Sequence, residues 1–231
     1  MISRGAGVGG CVIVTGWILL GARLRGVEFE LTESERAVKY HAHTRLSFMA
    51  NENPPLIWID CEMTGLSLET DALVEIAVLV TDADLNVLGD GVDVVIATTP
   101  EKLGGMRDEV RTMHQESGLL EAIPSGISIS AAEDLVLEYL AAHTVPGKSP
   151  LAGNSVGMDR NFIARDMLKL NNYLHYRTVD VSSIKELARR WYPKVYFNSP
   201  KKTGNHRALG DIKDSIEELR YYRDSIFIPQ N

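Results

Sequence analysis

The sequence predicts an α/β domain over residues 51–231, with a mixed central sheet flanked by helices. Three observations lead there. Apolar, β-branched runs at residues 56–66, 73–81 and 87–97 follow one another with only short turns between them, which reads as an antiparallel meander. Short strands and helical patterns then alternate to the end of the chain, so further strands join that meander in a mixed sheet. No repeat or linker interrupts the chain after Met49.

The first run, Leu56-Ile57-Trp58-Ile59-Asp60-Cys61-Glu62-Met63, ends at a Thr64-Gly65 turn before Leu66. Residues 73–81 form a second, well-buried strand, and Asp82 to Asn86 supply turn chemistry. The third strand, residues 87–97, is broken by Gly89 and Gly91. Residues 98–114 read as partly helical, weakened by Gly104-Gly105 and ended by Ser117-Gly118, and residues 119–123 as a further short helix. Ser130-Ala131-Ala132-Glu133 reads as a capping box for a helix over residues 131–142. A strand follows at 151–154, then a helix at 158–170 with Phe162, Ile163, Met167 and Leu170 at helical spacing. Residues 176–181 are a strand, Ser183 and Glu186 a second capping box for a helix to Trp191, and 193–205 a loop. A helix over 206–223 closes the chain, with Leu209, Ile212, Ile216 and Leu219 on one face.

The composition, 45% hydrophobic and 24% charged, is that of a soluble globular protein. A net charge of -7 argues against coating long nucleic acid by counterion release, although one local phosphate pocket is compatible with it. Two cysteines, Cys11 and Cys61, support no disulfide framework, which fits a reducing cytoplasm. Cys61 should face the core as a small hydrophobe. Residues 1–50 differ from the rest: an apolar run at 11–22 flanked by arginines is too short for a membrane span. Its Arg-then-apolar order also fits a secretory signal, but no clear small-residue cleavage site follows. We read this stretch as a poorly ordered or upstream extension, with Met49 as an alternative start.

Function enters with Asp60 and Glu62. Strand side chains alternate, so these acids share a face while Cys61 points away. Two adjacent carboxylates at a strand end repel and lose solvation, and a shared divalent cation relieves both. Asp159 lies just inside a helix after the turn Gly153-Asn154-Ser155-Val156-Gly157, where α/β folds place ligand groups. Taken alone, it reads equally as an acid serving the helix dipole. Asp211 and His206 read singly as a solvated helix acid and a loop histidine. Together, four carboxylates suit two hard cations about 3.5–4 Å apart, the geometry of in-line phosphodiester cleavage. A nearby histidine suits proton removal from the attacking water.

Asp60-x-Glu62, Asp159 and His206-x-x-x-x-Asp211 resemble, in order and spacing, the three motifs of the DEDDh 3′-to-5′ exonucleases of the ribonuclease-H-like fold. None of the five positions departs from that pattern. More narrowly, Trp58 to Leu66, Pro150 to Ser155, His175-Tyr176-Arg177, Asp180 to Leu187, Arg189 to Pro193 and His206 to Leu209 resemble the oligoribonucleases. The resemblance covers roughly residues 56–227.

It implies a homodimer that degrades very short single-stranded RNA, from dinucleotides to about five nucleotides, to mononucleotides. Asp60, Glu62, Asp159 and Asp211 would hold two Mg²⁺ or Mn²⁺ ions, with His206 as general base. Residues matching Leu66 and Tyr176 wedge and stack the bases. Those matching Ser155, Arg177 and Ser182 close around the 5′ phosphate, and His114 and Ser117 lie on the substrate side. Without the resemblance, Tyr176 reads as an ordinary core tyrosine and Arg177 as a surface arginine. Other DEDDh exonucleases, which proofread DNA or trim tRNA 3′ ends, need a longer single-strand groove, and no basic run is present to line one. A non-catalytic RNA-binding domain on this fold is opposed by the complete set of five catalytic residues.

Overall fold

Alternation along the first strand organises the molecule. The computed structural model describes residues 53–201 and 207–228. The extension read at 1–50 and His206, expected as general base, therefore lie outside the described residues. In β1 (Leu56–Met63), Ile57, Ile59, Cys61 and Met63 enter one core, while Trp58 enters a second core on the opposite face. Asp60 and Glu62 continue the Trp58 side. Trp58 donates its indole N–H to Thr81 Oγ1 at 2.9 Å, so its polar edge is satisfied in the interior.

The described strands form one sheet in the order β3-β2-β1-β4-β5. β2 (Leu73–Thr81) and β3 (Val87–Val95) build the antiparallel meander, and β4 (Leu151–Gly153) and β5 (Thr178–Asp180) add in parallel. The sheet is therefore mixed, as expected. All nine residues of β2 are buried. Gly89 and Gly91 do not end β3; both take positive φ inside it. The β1–β2 register shifts between Glu62 and Met63, a bulge beside the acids.

Between β3 and β4 lie α1 (Pro100–Gly104), α2 (Asp108–Glu116), α3 (Leu119–Ala122) and α4 (Ile129–His143). After β4 come α5 (Gly157–Asp166) and α6 (Leu168–Tyr173), and after β5 come α7 (Val181–Trp191), α8 (Pro193–Phe197) and α9 (Ala208–Ile226). Val136, Leu140, Phe162, Ile163 and Leu170, from α4 to α6, fill the core on the Ile57 side. Ala188 and the α9 stripe Ala208, Ile212, Ile216 and Tyr222 fill the core on the Trp58 side. Buried apolar surface on both faces pins the strand register that the acids require.

Four local expectations are corrected. The cap of α4 is Ser128, whose hydroxyl accepts from the Ala131 N–H; Glu133 is drawn inward instead and accepts from Leu170 N–H at 3.0 Å. The cap of α7 is Asp180, which accepts from Ser182 N–H, and Glu186 is an exposed partner of Arg189 and Arg190. The single helix expected over 158–170 breaks at Met167 (φ -129°, ψ 68°), where Glu133 from α4 takes the Leu170 N–H that a continuous helix would give to Asp166 O. Pro193 starts the short helix α8 where a loop was expected, since its fixed φ suits a first helical turn.

Candidate active site

The Trp58 side of the sheet carries Asp60 and Glu62 to the end of β1, where α9 crosses. Oxygens of Asp60, Glu62 and Asp211 all lie within 4.8 Å of one another. Ala208 and Ile212, buried on either side of Asp211 in the sequence, hold the first turn of α9 against the sheet. Asn154, just after β4, adds a polar tie by donating to Ser215 Oγ at 2.9 Å and to Glu218 Oε2 at 3.1 Å. Asp159 stands beside the three acids rather than among them. It occupies the first turn of α5, and its Oδ1 accepts the Cys61 N–H at 3.0 Å, between the two β1 acids.

The electrostatics are those of carboxylates crowded together away from water. Burial, followed by the carboxylates of Glu75, Asp211 and Asp159, pushes Glu62 up to about 8, against a smaller opposing pull from Arg207. Burial pushes Asp159 up to about 6, opposed by the hydrogen bonds it accepts from its own and the Cys61 backbone N–H. These all-oxygen donors suit a hard divalent cation, which would offset the repulsion that now favours the protonated acids.

Two acids that sequence reasoning did not assign hold the site together. Glu75 faces Glu62 across the β1–β2 pair and is fully buried. It accepts from Arg207 Nε at 2.7 Å and from Ala208 N–H at 3.2 Å. It thereby fixes the start of α9, next to His206. The signal was an acid inside an otherwise apolar strand, which a buried position tolerates only with a partner. Asp180 is the second. One of its oxygens accepts from Ser155 N–H at 2.9 Å, Ser182 N–H at 2.9 Å and Ser182 Oγ at 2.6 Å.

The expected substrate residues divide into groups. Leu66 and Tyr176 are 60% and 76% exposed, so Tyr176 is no core tyrosine. The Arg177 guanidinium lies 5.3 Å from the centre of the Tyr176 ring. Ser155 and Ser182 are brought together by Asp180, and Ser155 takes φ +56°, a conformation that costs energy for a residue other than glycine. Asp180→Ala is expected to lower stability by about 0.5–2 kcal/mol through loss of the α7 cap, read as a lower urea midpoint. His114 is fully buried behind Glu62. Its Nε2–H donates to Met63 O at 2.8 Å, leaving Nδ1 3.9 Å from Glu62 Oε2 with no hydrogen-bond partner among the described residues. Ser117 Oγ donates to His114 O at 3.3 Å, at the end of the same helix.

Comparison with known proteins agrees with this geometry. A family model described as exonuclease (RNase T) matches residues 57–219. The oligoribonucleases of Streptomyces avermitilis and Streptomyces griseus are 63% and 62% identical over 179 residues, 77% of this chain and 90% and 89% of theirs. That of Cutibacterium acnes is 58% identical over 176 residues, 75% of this chain and 87% of its own. Among solved structures, E. coli exonuclease I in a zinc-bound complex with single-stranded DNA superposes with a TM-score of 0.59 at 15% identity. That match covers 76% of this chain but only 41% of exonuclease I, and it speaks for the fold alone. With the exonuclease model spanning most of the chain and oligoribonucleases this similar over nearly their whole length, the chain belongs to the exonuclease family and groups within it with the oligoribonucleases.

Proposed function

We propose that this protein hydrolyses short RNA, with 5′-phosphorylated dinucleotides as preferred substrates. It is a metal-dependent 3′-to-5′ exoribonuclease. The observation that carries the site assignment is the convergence of Asp60, Glu62 and Asp211 at one strand end. In our reading, Asp60, Glu62, Asp159 and Asp211 hold two Mg²⁺ or Mn²⁺ ions. When bound, these cations would neutralise the charge developing on the phosphoryl oxygens and favour ionisation of the attacking water.

The chain's own residues do the rest. His206 takes a proton from the water whose oxygen attacks the last phosphodiester. The bond from phosphorus to the 3′ oxygen breaks, that oxygen gains a proton, and a 5′-mononucleotide leaves. Leu66 wedges against a base, while Tyr176 stacks on one, an interaction that contributes about 1–3 kcal/mol. Ser155, Arg177 and Ser182 close around the 5′ phosphate, while His114, fully buried against Met63 O, supports the substrate side from within. A closed 5′ end explains short substrates without an extended basic groove, consistent with a net charge of -7. Homodimeric assembly and a cytoplasmic location belong to the same proposal. No helix among the described residues is long and apolar enough to cross a membrane.

The test uses labelled RNA of two to ten nucleotides, with and without a 5′ phosphate, in Mg²⁺ and then in chelator. The 5′-phosphorylated dinucleotide is expected to be cleaved fastest, and chelator to abolish turnover. Faster cleavage of longer strands would reject the narrow substrate and favour a general exonuclease. Activity surviving chelation would reject metal dependence.

A further inference from the structure

Helix α5 grips the chain that carries both acids and wedge at two separate points. At its first turn, Asp159 accepts the Cys61 N–H between Asp60 and Glu62. At its last turn, Arg165 reaches the loop beyond Leu66, donating to Leu68 O and, at 2.9 Å, to Asp71 O. The two residues are roughly 9 Å apart along one rigid helix.

The Arg165 guanidinium is itself fixed. Its Nε donates to Asp166 Oδ1 at 2.7 Å, and its central carbon lies 4.7 Å from the centre of the buried Phe162 ring. The loop it holds has its own brace. Asp71 accepts from Thr64 Oγ1 at 3.1 Å and from Ser67 N–H at 2.8 Å, so its carboxylate lies across the turn that presents Leu66. A Cβ on Gly65 would come within 2.5 Å of that carboxylate, which explains glycine there. Lys102 Nζ donates to Thr70 O from the other side. Leu66 is exposed on a loop whose backbone is tied by Arg165, Asp71 and Lys102.

We propose that Arg165 is a positioning residue: by holding Leu68 O and Asp71 O, it fixes the Leu66 wedge at a set distance from the carboxylates on β1. The hydrogen bonds of Arg165 run to the two loop carbonyls and to Asp166. It acts through the loop, and a planar fork that serves two carbonyls and one carboxylate together is what arginine supplies and lysine does not. The inference rests on the reading of Leu66 as a wedge and adds the element that sets its place.

The test is a double-mutant cycle with Arg165→Gln, Leu66→Ala and the pair, on 5′-phosphorylated dinucleotide with saturating Mg²⁺. Each single change is expected to raise KM about tenfold with kcat within twofold, since charged hydrogen bonds to the loop are lost or their target is removed. The pair should raise KM little beyond either single change, because Arg165 works through Leu66. Additive effects, or a fall in kcat at unchanged KM, would overturn the positioning role. An unchanged KM for Leu66→Ala overturns the wedge reading, and the positioning role with it. Lys102→Met guards against a folding failure in the arginine variant: it unties the same loop from a half-buried side chain on another helix and is expected to raise KM in the same direction. No rise in either loop-releasing variant would count against the inference.

Discussion

Stripped of divalent cations, the protein is expected to lose stability as the pH rises from 5 to 8. The sign follows from the direction of the shifts. Glu62 rises from 4.5 to about 8 in the folded protein, and Asp159 from 3.8 to about 6. Between the unfolded and folded values the native state binds more protons than the unfolded chain, so stability falls with increasing pH. The loss begins above pH 4, is complete for Asp159 beyond about 6, and continues for Glu62 to about 8. The Glu62 contribution alone is on the order of 5 kcal/mol. A cation that binds the ionised acids reverses the trend, because it stabilises only the folded state and displaces the protons that the cage retains. Urea unfolding at a series of pH values, in chelator and in millimolar Mg²⁺ or Mn²⁺, reads both limbs. Glu62→Gln should flatten the chelator curve. A metal-free protein equally stable at pH 5 and 8 would show that the acids are not strained by burial.

That strain was legible in the sequence because it is local. Period-two alternation puts Asp60 and Glu62 on one face of β1, and the apolar run before them commits that face to burial. The bounds of β2 and the buried stripe of α9 were likewise readable, since each depends on the spacing of its own residues. What failed were features decided by a second segment. The sequence offers Ser130 and Ser183 as caps with a glutamate three residues on, yet Ser128 and Asp180 win. Glu133 is taken by Leu170 N–H and Glu186 by two arginines, so neither glutamate returns to its helix end. Glu75 and Asp180 escaped as functional supports for the same reason. Their roles appear only when strand pairing sets Glu75 opposite Glu62, and when β4 and β5 bring Ser155 to Asp180.

His206→Ala is expected to lower kcat for a 5′-phosphorylated dinucleotide by about 10²–10⁴-fold, the usual contribution of a positioned general base. Binding of the dinucleotide and of the metal should survive, because the carboxylates, Leu66 and the Ser155–Asp180–Ser182 group remain. Arg207 is held by Glu75, and Asp211 follows one turn into α9, so the start of this helix lies beside the acid cluster. With saturating cation, the single-turnover rate of the variant should fall while its affinity for the dinucleotide is kept. Single-turnover rates, with equilibrium binding of the same labelled dinucleotide, separate the two effects. Full turnover in the variant would remove His206 from the reaction. Lost binding at unchanged single-turnover rate would make it a substrate contact instead. The expected combination, dinucleotide and metal binding retained with the single-turnover rate lost, is one that a disturbed α9 start would not produce, since moving Asp211 weakens metal binding as well.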